Sequence, residues 1–185
     1  MKLEPGRHPI ESKAVNLATI KISFIIPHKG REAMLDATIA SIVAQAFDLS
    51  SIEIIIASQN KSPFDFSKYL DRAPNIQAIT CDESLNISML RNLGVSHAKG
   101  EYLAFLDADV ALAPDWLETM LTVISEKSDR VLVSAMQTCN HEAPALEKIR
   151  THLSNSVTET SVRFLPGRNL FLHKQTFTQV GGFPE

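Results

Sequence analysis

The segment Tyr102-Leu103-Ala104-Phe105-Leu106-Asp107-Ala108-Asp109 joins five apolar residues directly to two carboxylates. Short apolar runs of this kind, bounded by polar residues or by proline and glycine, are typical of buried strands. The chain contains similar runs at residues 20–26, 52–57, 76–80 and 131–136, and residues 165–185 predict one more strand, a short helix and a turn.

Amphipathic stretches separate these strands. Apolar residues at steps of one, three and four predict helices over residues 34–46, 87–98 and 116–124, and residues 64–70 predict a shorter helix. Asn86 is expected to cap the second long helix, because its side chain can accept a hydrogen bond from the first turn. Strands that are almost continuously apolar and alternate with helices predict an α/β fold, with a mainly parallel sheet flanked by helices.

The composition limits the class of protein. The chain has 185 residues, about one domain, and we interpret residues 1–19 as a loose leader and residues 20–185 as the folded domain. A net charge of −3 disfavours a nucleic-acid-binding protein, because such proteins usually carry a basic excess. Two distant cysteines exclude a disulfide scaffold and a cysteine zinc site. Without a signal peptide or a membrane-length apolar run, the chain is expected to be cytoplasmic.

Polar residues follow three of the predicted strands, at His28 to Arg31, Ser58 to Lys61 and Asp107 to Asp109. Parallel strands bring their carboxyl ends to one edge of the sheet, where ligands of α/β proteins usually bind. Asp107 and Asp109 share a face of the extended chain, which suits Mg²⁺ or Mn²⁺ carrying a diphosphate. The alternative interpretation is that these aspartates only cap the turn before Pro114.

Several other side chains near this edge have both a functional and a structural interpretation. Arg31 and Arg91 have the planar fork that binds phosphate in pairs of charged hydrogen bonds, although Arg91 could equally be solvated on its helix. His28 and Lys29 either contact a nucleotide or are simply exposed. His173 either supplies a third metal ligand or has no function at the end of its strand.

Several motifs, taken in their order along the chain, resemble family 2 glycosyltransferases of the inverting, nucleotide-sugar-dependent kind. The resemblance extends from about residue 20 to the end of the chain, and it implies the nucleotide-binding α/β fold called GT-A. The motifs are Ile25-Ile26-Pro27-His28-Lys29-Gly30-Arg31, Glu53-Ile54-Ile55-Ile56, Arg91-Asn92-Leu93-Gly94, residues 99–109, Pro114-Asp115-Trp116-Leu117, Gly167-Arg168-Asn169 and Val180-Gly181-Gly182-Phe183.

The resemblance also implies roles for individual residues. Residues of the donor-binding set would contact a UDP-, GDP- or dTDP-linked sugar, and Asp109, with Asp107 beside it, would bind Mg²⁺ or Mn²⁺. The metal would act as a Lewis acid on the departing nucleoside diphosphate while a hydroxyl of a saccharide or lipid-linked saccharide attacks with inversion. Such an enzyme would work in the cytoplasm or peripherally at the inner face of the membrane. The implied donor-binding set is Pro27, His28, Gly30, Arg31, Gln59, Arg91 and Asp107.

The sequence departs from the family pattern in two places. The family usually has Asp-Asp-Gly-Ser after its second strand, where this chain has Ser58-Gln59-Asn60-Lys61, so Gln59 would have to read the base with its amide. The acidic pair that serves as the family's catalytic base lies downstream of Gly-Gly-Phe, and this chain stops at Glu185. We therefore expect a C-terminally truncated domain whose catalytic base lies beyond Glu185, and which on its own binds a nucleotide sugar but transfers it very slowly or not at all.

Three other functions remain open at this stage. The first is a non-catalytic glycosyltransferase-like module that binds a nucleotide without turnover. The second is a phosphatase of the haloacid-dehalogenase type, which residues 104–110 resemble, although that family needs a later acidic pair. The third is a sugar nucleotidyltransferase, which needs a glycine-rich loop after the first strand, where Gly30 stands alone.

Overall fold

The computed structural model describes residues 20–126, 131–139, 142, 144–155, 165 and 167–185, so the predicted leader lies outside the described residues. One six-stranded sheet has the strand order β3-β2-β1-β4-β6-β5. The strands are β1 (Ile22–His28), β2 (Ile52–Ser58), β3 (Ile76–Thr80), β4 (Tyr102–Leu106), β5 (Leu132–Val133) and β6 (Asn169–His173). The helices are α1 (Glu32–Val43), α2 (Ile87–His97), α3 (Trp116–Glu126), α4 (Ala145–Ser154) and α5 (Lys174–Gln179).

The first four strands confirm the predicted mainly parallel sheet. β1 pairs in parallel with β2 and β4, and β2 pairs in parallel with β3. All residues of β1 and β2 are buried, because helices cover both faces of the sheet. One apolar cluster joins the sheet to residues of α1 and α3, and a second cluster on the other face includes residues of α2 and α5. The carboxyl ends of β1, β2 and β4 therefore lie at one edge.

β6 departs from the parallel arrangement. It runs antiparallel to β4, with Tyr102 opposite His173 and Leu106 opposite Asn169. The strand expected over residues 131–136 is only the two-residue β5, which pairs with β6 alone. β5 lies at the edge of the sheet, where one side of a strand has no partner.

Three further elements differ from the predictions. β1 continues through Pro27 to His28, since β4 pairs only with residues 22–25 and the missing N–H of Pro27 faces no neighbouring strand there. The helix expected over residues 64–70 is a single 3₁₀ turn at Ser67–Tyr69. Helix α4 lies in a region for which the sequence predicted no element. The cap at Asn86 is confirmed, because its Oδ1 accepts from Met89 N–H at 3.0 Å.

A buried polar cluster joins β1, β2 and the loop before β4 near the amino ends of these strands. Ser23 Oγ donates to Glu53 Oε1 at 2.5 Å, and the backbone N–H groups of Lys99 and Gly100 donate to the same oxygen. Gly100 N–H also donates to Ser23 Oγ at 2.8 Å. Because each donor meets an acceptor, Glu53 tolerates burial and fixes the loop that leads from α2 into β4.

The described helices are all short. The longest is α1 with 12 residues, whereas a helix needs about 20 apolar residues to cross a bilayer. Within the described part of the chain, no helix is long and apolar enough to span a membrane.

Candidate functional site

A cleft of about 380 Å³ opens at the edge where β1, β2 and β4 end. Its volume lies in the range of small-molecule sites, and its position matches the edge at which α/β sheets bind ligands. The three polar sets that follow these strands in the sequence therefore meet in one place. The cleft is lined by Pro27, His28, Lys29, Gly30, Arg31, Gln59, Leu85, Ile87, Leu90, Asp107, Ala108 and Asp109.

Asp107 and Asp109 lie on the turn that follows β4. The backbone N–H of Asp107 donates to Arg168 O at 3.0 Å, and the turn closes through Val110 N–H to Asp107 O at 3.2 Å. The two side chains are 34% and 49% exposed, so both carboxylates are accessible from the cleft. No group of three or more His, Cys, Asp and Glu side chains converges among the described residues. Two carboxylate ligands suit Mg²⁺ or Mn²⁺, because such ions keep waters and substrate phosphate among their ligands.

Arg91 lies behind Asp107 rather than in the lining of the cleft. Its residue is 7% exposed, and its Nη2 donates to Asp107 Oδ1 at 2.8 Å. This is a charge-assisted hydrogen bond, a kind that is roughly twice as strong as one between neutral groups. The alternative of a solvated Arg91 is wrong because the residue is buried, whereas its binding of phosphate stays a prediction, since the geometry joins Arg91 to the cleft through Asp107.

Arg31 reaches across the cleft towards the second carboxylate. It precedes α1 in the left-handed conformation, with φ 53°, and it is the non-glycine residue with positive φ within the described ranges. Its Nη1 lies 3.5 Å from Asp109 Oδ2, and the two side chains are 70% and 49% exposed. The neighbouring Gly30 N–H donates to Asn60 Oδ1 at 2.7 Å, which ties the β1 loop to the β2 loop. Arg31 therefore places an exposed positive charge beside Asp109.

His28 forms the floor of the cleft at the end of β1. The residue is 2% exposed, its Nδ1 lies 3.3 Å from Ser58 Oγ, and its Nε2 is buried without a hydrogen-bond partner. Burial lowers the pKa of His28 from its ordinary 6.5, against smaller opposing effects of the Gly30 backbone and the Glu32 charge. The imidazole is therefore mainly neutral at pH 7, and its Nε2 is enclosed by the protein.

This pKa shift predicts a pH dependence of stability. The unfolded chain takes up a proton at His28 as the pH falls through 6.5, whereas the folded chain resists it. The free energy of unfolding should therefore decrease on acidification from about pH 7 towards about pH 5. Urea unfolding of His28→Gln should show a weaker decrease over this range, while His97→Gln, at an exposed histidine, keeps the wild-type slope. Equal slopes for wild type and His28→Gln would contradict the assignment.

Gln59 is buried directly after β2, and the NH₂ group of its side-chain amide is hydrogen-bonded. Its Nε2 donates to Asp82 O at 2.8 Å and to Leu85 O at 3.0 Å. Because carbonyl oxygens only accept, these contacts fix the orientation of the amide. The two hydrogen bonds use only the Nε2 end of the amide, so Oε1 is the part of the side chain that they leave available.

The alternative role of His173 as a metal ligand is wrong. β6 runs antiparallel to β4, so His173 lies beside Tyr102, at the end of the sheet opposite Asp107. Its Nε2 is 3.5 Å from Glu101 Oε1, and its Nδ1 accepts from Gln175 N–H at 3.0 Å, which caps α5. The direction of β6 depends on its pairing with β4, which the sequence does not indicate.

Two asparagines have structural roles that the sequence analysis did not assign. Asn60 holds Gly30, as described above. Asn92 binds the C-terminal turn, since its Nδ2 donates to Phe183 O at 2.9 Å and its Oδ1 accepts from Phe183 N–H at 3.0 Å. In the sequence, Asn92 belongs to the motif Arg91-Asn92-Leu93-Gly94. Nothing in that motif indicates that its partner is Phe183, 91 residues later.

Comparisons with known proteins agree with this geometry. The chain is 28% identical over 130 residues to EpsH of Bacillus subtilis, covering 69% of this chain and 35% of EpsH. Among solved structures, the mannosyltransferase PcManGT from Pyrobaculum calidifontis, in complex with GDP-Man and Mn²⁺, aligns with a TM-score of 0.69 and 16% identity over 89% of this chain and 47% of PcManGT. S. aureus TarS 1–349, in complex with UDP-GlcNAc, aligns with a TM-score of 0.67 and 16% identity over 89% of this chain and 48% of TarS.

The chain thus spans about a third of the length of EpsH and about half of each of the two structures. The structural alignments show the GT-A fold, in agreement with the mainly parallel sheet described above. The sequence model of the family described as glycosyl transferase family 2 matches residues 23–183, which is most of the chain. This chain belongs to glycosyl transferase family 2.

Proposed function

We propose that the protein transfers a sugar from a nucleotide-sugar donor to an acceptor hydroxyl. The observation that carries the proposal is the cleft at the carboxyl ends of β1, β2 and β4, which is lined by Asp107, Asp109 and Arg31, with Arg31 Nη1 3.5 Å from Asp109 Oδ2. Family membership supports the same class of reaction. Residues 20–185 would form the donor-binding domain of the enzyme.

The lining of the cleft suits a nucleoside diphosphate. Pro27, His28 and Gln59 form the inner part and would contact the nucleoside, with Gln59 Oε1 accepting an N–H of the base. Uracil, thymine and guanine each carry a ring N–H, so UDP-, dTDP- and GDP-linked sugars all remain candidate donors. The solved complexes of PcManGT with GDP-Man and TarS with UDP-GlcNAc support this range. Gly30 and Arg31 form the outer part, where the diphosphate would lie.

The carboxylates at the mouth of the cleft would hold a divalent cation. Asp109 is the more exposed of the pair and would be the principal ligand, with the free oxygen of Asp107 beside it. When bound, Mg²⁺ or Mn²⁺ would act as a Lewis acid and offset the charge that develops on the leaving diphosphate. Arg31 would add a second positive charge on the other side of the diphosphate. The Mn²⁺ in the PcManGT complex supports this proposal.

The acceptor would be a hydroxyl of a saccharide or of a lipid-linked saccharide, attacking from the face opposite the diphosphate with inversion. Such an attack needs a carboxylate base across the sugar from the leaving group, and general-base assistance contributes about 10²–10⁴-fold in rate. We assign no described residue to that role. A module that only binds the donor would share every binding property of the cleft, and release of nucleoside diphosphate from the donor would separate the two functions.

Thermal unfolding with a panel of nucleoside diphosphates tests the donor site. UDP, GDP and dTDP are added with and without Mn²⁺, and at least one should stabilise the protein more strongly with the metal. At a ligand concentration one hundred times the dissociation constant, the stabilisation amounts to about 2.7 kcal/mol. The matching nucleoside monophosphate is the control, because it lacks the second phosphate and should show little effect of Mn²⁺. The proposal fails if no diphosphate raises the unfolding temperature.

A further inference from the structure

The guanidinium of Arg91 is enclosed by parts of the chain that are remote in sequence. Its Nη2 donates to Asp107 Oδ1 at 2.8 Å, and its Cζ lies 5.3 Å from the centre of the Phe183 ring. An arginine over an aromatic face is attracted by the ring quadrupole. Only 7% of the residue is exposed, although Asp107 beside it lines the cleft. Arg91 therefore contacts the cleft only through Asp107, a residue of its lining.

Phe183 is held over Arg91 by the next residue of α2. The amide of Asn92 exchanges two hydrogen bonds with the backbone of Phe183, at 2.9 and 3.0 Å. The ring also packs against Phe105 at 5.0 Å and Phe177 at 5.6 Å between centroids. The ring is thus fixed by backbone hydrogen bonds and by aromatic neighbours, and its position over the guanidinium is set by the fold.

The backbone of Gly167 packs directly against the guanidinium of Arg91. A Cβ at this position would lie 2.8 Å from Arg91 Nη1 and 3.3 Å from Cζ and Nη2. Only glycine allows the backbone to approach the guanidinium this closely without displacing it. The residue shows no positive φ, so its conformation does not itself demand glycine. The close approach to Arg91 is the reason for glycine that the structure supplies.

We propose that Gly167 and Phe183 form a clamp that fixes Arg91 against Asp107, and that Arg91 is a positioning residue for that carboxylate. The pair engages Oδ1 of Asp107 and leaves Oδ2 outside this hydrogen bond, on a residue that lines the cleft. The clamp thereby presents a single, oriented oxygen of Asp107 next to Asp109. This proposal rests on the proposed function in so far as the oriented carboxylate serves a metal and a nucleoside diphosphate.

The clamp assigns Arg91 a different role from a ligand of the diphosphate. A direct ligand would contribute to nucleotide affinity whether or not metal is present. A positioning residue acts through Asp107, so its loss should appear in the affinity for Mn²⁺ alone and in the metal-dependent part of nucleotide affinity. Changes to residues that orient metal ligands typically cost about 10–100-fold in metal affinity.

Gly167→Ala is the sharpest test, because the added methyl meets only the far end of a flexible side chain. The guanidinium should move while the fold stays intact. Mn²⁺ affinity is measured by proton relaxation of water, and UDP or GDP affinity by calorimetry with and without Mn²⁺. We expect Mn²⁺ alone to bind at least about 10-fold more weakly. Nucleotide affinity without metal and the unfolding temperature should stay at the wild-type values.

Phe183→Leu and Phe177→Leu form a matched pair. Both rings pack against Phe105, at 5.0 and 5.3 Å, but of the two only Phe183 lies over Arg91 in the described structure. Phe183→Leu should weaken Mn²⁺ binding as Gly167→Ala does, whereas Phe177→Leu, whose ring packs against Phe183, should weaken it less. Arg91→Lys keeps the charge without the planar fork and should recover part of the affinity that Arg91→Ala loses.

The outcomes separate this inference from the proposed function. Wild-type Mn²⁺ affinity in Gly167→Ala and Phe183→Leu would overturn the clamp while leaving metal-dependent donor binding in place. A loss of metal-free nucleotide affinity in Arg91→Ala would instead make Arg91 a direct ligand and overturn its positioning role. If the wild-type protein binds neither Mn²⁺ nor any nucleoside diphosphate, the proposed function fails and the clamp falls with it.

Discussion

Asp109→Asn is expected to abolish the metal-dependent part of nucleoside diphosphate binding. The amide keeps the shape of the side chain but removes the negative charge that would hold Mg²⁺ or Mn²⁺. The stabilisation attributable to metal, about 2.7 kcal/mol at a ligand concentration one hundred times the dissociation constant, should disappear from thermal unfolding curves. Binding without metal should remain near the wild-type level or increase, because Arg31 lies 3.5 Å from the lost charge and becomes free for phosphate.

The control for this variant is Asp71→Asn, at an exposed aspartate outside the lining of the cleft. Both variants should unfold at the wild-type temperature in the absence of ligand, since an exposed ion pair such as Arg31–Asp109 contributes little to stability. A full metal response in Asp109→Asn would show that the cation binds elsewhere, and the assignment of this carboxylate would be wrong.

Gly100→Ala is expected to have the largest effect on stability. A Cβ at residue 100 would lie 2.5 Å from Ser23 Oγ, 2.7 Å from Ser23 N and 2.8 Å from the carbonyl carbon of Ile22. Two of these atoms belong to the backbone of β1, which is paired on both sides and cannot move away. The variant should lose about 3 kcal/mol of the free energy of unfolding, the upper part of the range for overpacking a core.

Urea unfolding measures this loss, and Lys99→Ala is its control. Lys99 is the exposed neighbour whose backbone N–H, rather than its side chain, binds Glu53. Lys99→Ala should stay within about 0.5 kcal/mol of wild type, as surface substitutions usually do. A similarly small change in Gly100→Ala would mean that the loop entering β4 is not held tightly against β1.

Much of the fold was predictable because its central strands are buried on both faces. Each of them is an apolar run in the sequence, and this property alone distinguishes a parallel sheet covered by helices from a half-exposed one. The cap at Asn86 was predictable for a different reason. It is a local feature that depends on one side chain and the first turn of the helix that follows it. The convergence of three polar loops into one cleft followed from the parallel direction of the strands.

The remaining features depend on contacts between distant residues. The direction of β6 is set by its pairing with β4, so the position of His173 relative to Asp107 could not be read from the sequence. The burial of Arg91 depends on Gly167 and Phe183, which follow it by more than 70 residues in the chain. Helix α4 is different, because Leu146, Ile149 and Leu153 have helical spacing that was visible in the sequence but lies within a mostly polar region.

Calorimetric titration of the wild-type protein with UDP and with GDP, each with and without Mn²⁺, tests the central claim most directly. The claim is that the cleft lined by His28, Gln59 and the two aspartates binds the nucleoside diphosphate part of a sugar donor together with a divalent cation. The account predicts saturable binding of at least one diphosphate at one site per chain, with an affinity that rises when Mn²⁺ is present. Absence of binding for both nucleotides and for dTDP in the same titration, or an affinity that Mn²⁺ leaves unchanged, would contradict it.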